Sequence, residues 1–316
     1  MSKVSIVIRC YNEAQHIGRL LSGVLQQTVQ DVEIIVVDSG STDDTVAIAS
    51  QYPIRLLTIQ PQDFSFGRAL NLGCQAATGE FIVIASAHVY PIYQDWLETL
   101  LAPFQDPTVA LTYGKQRGNE TTQYSEKQIF ATWFPDVATG THLQDHPFCN
   151  NANAAIRRHL WQAIPYNENL TGLEDLDWAK RAMASGYRIA YVPEAEIIHV
   201  HDETSLRIYN RYRREAIALK QIEPQPFSLW DFSRLLTTNV LSDYYHAFRD
   251  GVLLRELRAI WVFRLMQFWG TYRGYTHRAP VSKQLRQTFY YPRSLAKPQA
   301  SPDRPRQTID YASQPH

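Results

Sequence analysis

Four runs of β-branched and apolar residues, separated by segments of helical periodicity, open the chain and leave few folds available to it. Lys3 to Arg9 reads as a short strand. Ile17, Leu20, Leu21, Val24 and Leu25 then recur at helical spacing, preceded by Asn12-Glu13-Ala14-Gln15 with the spacing of a capping box. Val32 to Val37 is an unbroken apolar run, as expected of a strand covered on both faces. A second short helix is expected from about Asp43, a third strand over Ile54 to Ile59, and a third helix over Phe66 to Ala77, closed by Thr78-Gly79. Phe81 to Ala85 is the fourth strand. The order β-α-β-α-β-α-β predicts an α/β fold with a doubly wound, mostly parallel sheet. Ligands of such sheets sit at the carboxyl ends of the strands. The first candidates are therefore Tyr11, Asn12 and Glu13, then Asp38 and Ser39, then Ser86 and His88.

Composition narrows the function classes. A hydrophobic content of 45% over 316 residues supports a sizeable core and excludes global disorder. A formal net charge of +0 argues against a strongly basic nucleic-acid binder at the level of the whole chain. That total hides an asymmetry: residues 1–202 hold 13 basic against 22 acidic side chains, and residues 203–300 hold 16 against 7. The basic back predicts an anionic partner: a membrane surface, a nucleic acid or a bound phosphate. Cys10, Cys74 and Cys149 show no metal or disulfide spacing. No apolar run reaches the ~18 residues of a membrane span. The expectation is a soluble protein of the reducing cytoplasm. The turn after the first strand, Cys10-Tyr11-Asn12-Glu13-Ala14, has no glycine, and neither GxxxxGK[ST] nor GxSxG occurs, so side chains rather than a glycine cradle must hold any nucleotide.

Four segments together resemble the family-two inverting glycosyltransferases. These are Val4 to Glu13 (VSIVIRCYNE), Ile34 to Asp43 (IIVVDSGSTD), Phe64 to Gly73 (FSFGRALNLG) and Gly172 to Trp178 (GLEDLDW). The resemblance covers about residues 3–220 and implies a GT-A fold, Rossmann-like, with a nucleotide-diphosphate-sugar donor and inversion at the anomeric carbon. It implies that Asp175 is the catalytic base, which deprotonates the acceptor hydroxyl as it attacks. The residues alone allow another account. Thr171-Gly172-Leu173-Glu174 reads as a capping box for a helix over about 175–185, in which Asp175 and Asp177 merely offset the dipole. A helix N-terminus is expected to keep Asp175 ionised. Asp38 is implied at the nucleotide base or ribose, although Asp38-Ser39-Gly40 also has the composition of an Asx turn. Tyr11, Glu13, Arg68, Ser86, Asn153, Glu174 and Arg211 complete the expected donor contacts. Arg68 reads equally as a solvated helix charge. Asn151 and Asn153 are expected to share one strand face under the sugar, and Trp178 to pack in the core.

The chain departs from the family where Asp-x-Asp normally binds Mg²⁺ or Mn²⁺, for here the segment is Ser86-Ala87-His88. Some relatives of the same fold carry Asp-x-His there with a second histidine further on, and Ile197-Ile198-His199-Val200-His201 supplies such a histidine here. His88 and His199 are the expected metal pair, with His201 on the same face of an extended segment. Imidazole donors favour Mn²⁺ over Mg²⁺. A metal-free site, in which both histidines bond the diphosphate, is the alternative.

Behind this domain, residues 228–250 and 251–278 look helical, with Trp261, Phe263, Phe268 and Trp269 interleaved with arginines. That pattern suits a helical extension, over 221–291, lying on anionic lipid, or one packing on the domain or on a second copy in a homodimer. Residues 292–316, rich in Pro, Gln and Ser, read as a disordered tail. The absence of QxxRW favours one sugar per encounter. The expected function is transfer of one sugar to a glycan or lipid-linked acceptor in surface polysaccharide synthesis, with rhamnose as the family-level guess. The rivals are a non-catalytic sugar-nucleotide-binding module and a membrane-associated scaffold.

Overall fold

The computed structural model describes residues 4–138 and 140–290. Its first half follows the alternation of the sequence: β1 (Val4–Cys10), α1 (Ile17–Leu25), β2 (Val32–Asp38), α2 (Thr45–Ala49), β3 (Ile54–Thr58), α3 (Phe66–Ala76) and β4 (Phe81–Ser86). These four strands run parallel in the order β3-β2-β1-β4. Next come β5 (Val89–Pro91), α4 (Trp96–Leu101), β6 (Val109–Arg117), α5 (Tyr124–Trp133), β7 (His142–Gln144), β8 (Asn153–Arg157), α6 (Arg158–Ala163), α7 (Glu174–Ala184) and β9 (Arg188–His199). They extend the sheet as β4-β8-β6-β9-β5, with β7 also on β9. This half is mixed: β8 is antiparallel to both β4 and β6, while β6 and β9 are parallel.

The sheet is covered on both faces because its strands alternate. In β1, Ile6 and Ile8 face a core with Leu20 and Leu21 of α1 and Trp96 of α4, whereas Val7 joins Ile35, Leu70 of α3 and Trp178 of α7 on the other side. Each such wholly buried aliphatic side chain contributes on the order of 2 kcal/mol.

A helical extension follows: α8 (Ser205–Ile222), α9 (Leu229–Arg249), α10 (Leu253–Tyr275) and α11 (Lys283–Tyr290). α8 runs through position 220 without a break. Ser228 and Asp231 form a true capping box at the start of α9. α10 lies against α8 where Gly270 and Gly274 remove side chains. A Cβ at Gly270 would stand 2.5 Å from the Tyr209 carbonyl oxygen, and one at Gly274 would stand 2.6 Å from that of Arg213. Arg264 of α10 and Asp243 of α9, both buried, form a two-pronged ion pair at 2.7 and 2.8 Å. Arg264 also reaches the carbonyl of Ser125 in α5 at 3.5 Å, joining the extension to the sheet domain. The expected tail, 292–316, lies outside the described residues.

Two expected caps are absent. α1 begins at Ile17 with no side-chain cap. Asn12 instead takes a left-handed conformation, φ 55°, and its Oδ1 accepts the Thr42 N–H at 2.7 Å, which stitches the β1 and β2 loops together. At α7 the capping residue is Leu173, again left-handed with φ 56°. The Thr171 hydroxyl donates to the Arg214 carbonyl, not to α7.

Candidate active site

The carboxyl ends of β1 and β4 and the start of α7 come together through Arg9. Arg9 pairs in register with Ser86, and its guanidinium sits 3.3 Å from the Glu174 carboxylate and 4.7 Å from the centre of the Phe66 ring. Its Nε and Nη1 are buried without hydrogen-bond partners. Nothing in the sequence singles out Arg9, because an arginine inside a strand carries no motif of its own.

Asp175 follows Glu174 in the first turn of α7. Its Oδ2 accepts the Asn151 N–H at 3.1 Å and its Oδ1 accepts the Leu176 N–H at 2.9 Å. The expectation that the helix terminus would keep it readily ionised does not hold. Burial, and then the neighbouring Glu174 charge, push its carboxyl up to about 7, against the lowering effect of those two N–H bonds. A carboxylate in that range suits a base that works near neutrality. Asn151 is buried, and neither atom of its side-chain amide has a hydrogen-bond partner.

The histidines converge. The His88 and His199 rings stack with centroids 5.1 Å apart, and Nε2 of His201 lies 3.0 Å from Nε2 of His199. One ligand atom from each of His88, His199 and His201 lies within 4.8 Å of the others. Each ring is anchored through its remaining nitrogen: Nδ1 of His88 on Glu13 at 2.8 Å, of His199 on Gln116 at 2.8 Å and of His201 on Glu126 at 2.6 Å. Metal-binding histidines are commonly oriented in this way. Burial, then the neighbouring histidines, hold His199 well below its ordinary value, so it stays a neutral donor. For Glu126, burial works against ionisation, but Arg211 and His201 hold it at about 2. The three nitrogens with their anchors fit a divalent cation.

Several expected donor contacts are otherwise engaged. Asn153 is fully buried in β8. It accepts the Trp96 indole N–H at 2.9 Å and donates to the carbonyls of Ala195 and Lys115, so no polar atom remains for a sugar. Asn151 stands outside that strand and does not share its face. Arg211 does not point at a free anion site; it is paired at 2.7 Å with both Glu126 and Glu203. Glu13 serves His88. Asp38 forms the Asx turn, accepting the N–H groups of Gly40 and Ser41 at 2.9 and 3.1 Å, and is itself buried. Arg68 lies on the outer side of α3, 4.0 Å from Asp63, beside Glu168 and Arg286. Tyr11 and Ser86 stand half-buried at their strand ends. Trp178 is core, with its indole N–H donated to the Ile164 carbonyl at 2.6 Å.

Known proteins share this fold and parts of this sequence. The profile of glycosyl transferase family 2 matches residues 5–164. The O-antigen chain rhamnosyltransferase RfbN of Salmonella typhimurium is 27% identical over 223 residues, 66% of this chain and 70% of that protein. WbaN of Salmonella anatum, also an O-antigen chain rhamnosyltransferase, is 30% identical over 206 residues, 59% of this chain and 62% of that protein. Among solved structures, the mannosyltransferase PcManGT from Pyrobaculum calidifontis, in complex with GDP-Man and Mn²⁺, superposes with a TM-score of 0.56 at 20% identity, over 93% of this chain and 88% of that one. Glucosyl-3-phosphoglycerate synthase from Mycobacterium tuberculosis superposes with a TM-score of 0.52 at 19% identity, over 72% and 82% of the two chains. These likenesses establish the GT-A fold, and the profile match over half of the sequence establishes the rest: the chain is a glycosyltransferase belonging to glycosyl transferase family 2.

Proposed function

We propose that the chain transfers one sugar, with inversion, from a nucleotide-diphosphate-sugar to a hydroxyl of a glycan or lipid-linked acceptor in surface polysaccharide synthesis. The single observation that carries this reading is the Asp175 carboxyl, held by two backbone N–H groups and raised by burial and Glu174 into the range of a neutral-pH base. The acceptor O–H gives its proton to Asp175. Its oxygen forms the new bond to the anomeric carbon, and the bond to the diphosphate oxygen breaks on the opposite face. The nucleoside diphosphate leaves with that electron pair. Asp175 must be ionised to accept, so transfer rises with pH through the range around 7.

Arg9 offers the donor phosphates a guanidinium whose Nε makes no hydrogen bond and whose Nη1 is ion-paired with Glu174 at 3.3 Å, and Asn151 offers the sugar both halves of an amide. His88, His199 and His201 are the residues that would hold a divalent cation, with Mn²⁺ preferred to Mg²⁺ because the donors are nitrogen. When bound, such a cation offsets the charge of the departing diphosphate. The two rhamnosyltransferase relatives support a rhamnosyl donor, and a cytoplasmic setting at an anionic membrane surface suits an acceptor made there.

The test is transfer from dTDP-, UDP- and GDP-sugars with Mn²⁺, by the native chain and by Asp175→Asn. The expected result is turnover of one donor class, lost in the variant while nucleotide binding persists. Unchanged turnover in Asp175→Asn would remove Asp175 as the base. Tight nucleotide binding with no turnover of any donor would favour a binding module instead.

A further inference from the structure

The turn between α9 and α10 carries two exposed apolar stripes that the fold leaves unused. On α9, Leu241, Tyr245 and Phe248 lie four and three residues apart, on one helical face. On α10, Leu254, Leu257 and Trp261 lie three and four apart. Leu254 is 88% exposed and Phe248 70%. The inward faces of these helices already bury Leu236, Val240, Ile260, Phe263 and Phe268, so the stripes are not the edge of an unfinished core.

Arginines flank the stripes. Arg249, Arg255 and Arg258 are exposed. Arg258 has no ion-pair partner among the described residues, and Arg255 meets only the adjacent Glu256. The local acids are engaged: Asp243 by buried Arg264, and Asp250 by the Tyr124 hydroxyl at 2.7 Å. Arg255 and Arg258 also line an open groove of ≈ 460 Å³ with Gln123 and Ser205. The Gln123 amide donates to the carbonyl of Glu203, two residues beyond His201. Among the described residues, no helix is long and apolar enough to cross a membrane.

We propose that the α9–α10 tip docks on the surface of an anionic lipid bilayer, with the two stripes in the apolar boundary and Arg249, Arg255 and Arg258 on lipid phosphates. This deepens the transferase reading and rests on it for its purpose, which is to hold the cleft at a membrane-borne acceptor. The charges favour lipid over a second copy. In a two-fold interface the patch is matched only against its own mixture of three arginines, Asp250 and Glu256, which leaves its excess positive charge unanswered, whereas an anionic bilayer complements that excess.

The experiment is co-sedimentation of the full chain with vesicles of phosphatidylcholine alone or mixed with phosphatidylglycerol. The mixed vesicles should bind at least ~10-fold more tightly, an advantage lost at high salt. Leu254→Glu with Phe248→Glu, and separately Arg255→Ala with Arg258→Ala, should each weaken binding ~10-fold or more while nucleotide binding by calorimetry stays unchanged. No vesicle binding, equal binding to neutral vesicles, or indifference to these substitutions overturns the proposal. A concentration-dependent dimer that Leu254→Glu dissociates assigns the face to a second copy and overturns it too. Vesicle binding needs no donor, so loss of transfer with binding intact would sink the catalytic reading alone.

Discussion

Nε2 of His199 stands 3.0 Å from Nε2 of His201, and the far nitrogen of each ring is already committed, to Gln116 and Glu126 respectively. Two neutral rings so anchored would direct lone pairs at each other. A shared cation, or a proton on one of the two Nε2 atoms, resolves that conflict, and His88 supplies a third nitrogen to a cation. The site should therefore bind Mn²⁺ or Zn²⁺ before any nucleotide arrives. His201→Ala should cut that nucleotide-free affinity by at least ~10-fold, a loss readable by calorimetry or by the Mn²⁺ spin-resonance signal. If the variant bound the ion as well as the native chain, His201 would not be a ligand.

Glu126 holds two partners at once, His201 at 2.6 Å and Arg211 at 2.7 Å. Glu126→Gln keeps the volume but removes the charge, and Arg211 is left with Glu203 alone. Two losses should appear together: metal affinity down ~10–100-fold and stability down by about 2–3 kcal/mol in urea unfolding. A fall in stability with metal affinity intact would confine Glu126 to a structural role.

The parallel half of the sheet was legible because its signals are local. Ile6, Val7 and Ile8 alternate between two cores, and Leu20 and Leu21 mark the face of α1. Asp175, His88 and His199 stand at element ends, where motif and topology agree. What escaped the sequence was non-local or conformational. Gln116 and Glu126 come from β6 and α5, and only tertiary packing brings them to the rings of His199 and His201. Arg9 becomes a site residue only when α7 places Glu174 beside it. The capping box read from Thr171 to Glu174 fails because Leu173 turns left-handed, a conformation that few leucines adopt and that no spacing rule signals. Asn153 looked like a sugar ligand for want of any sign that Trp96 and Ala195 would consume it.

Asp175 should show opposite effects on activity and stability. Its carboxyl is raised in the folded chain to about 7, from an ordinary value of 3.8. Between those values the folded state binds the proton more tightly than the unfolded state does, so stability falls as pH rises through this window. Above pH 7 the whole penalty is present, and transfer is at its highest. Asp175→Asn should thus lower turnover by ~10²–10⁴-fold. It should also raise the melting temperature at pH 8, with a smaller gain at pH 4. Scanning calorimetry at the two pH values checks this, and an unchanged melting temperature at pH 8 would show that the carboxyl is not strained by burial.

The Arg264–Asp243 pair joins α9 to α10 and touches Ser125, the residue before Glu126. Both side chains are buried, at 4% and 1% exposure, so removing either leaves a charge without its counterpart. Arg264→Met should cost about 3–5 kcal/mol. The double change Arg264→Met with Asp243→Leu should recover most of that loss, since a buried ion pair often contributes little beyond an apolar pair of similar volume. The informative quantity is what recovery leaves behind. Arg264 also bonds the Ser125 carbonyl at the start of α5, so the double variant should regain stability yet hold Glu126 less firmly. Its melting temperature should return to near the native value while its nucleotide-free Mn²⁺ affinity stays several-fold low. Full recovery of both would show that the helical extension and the histidine cluster are mechanically independent.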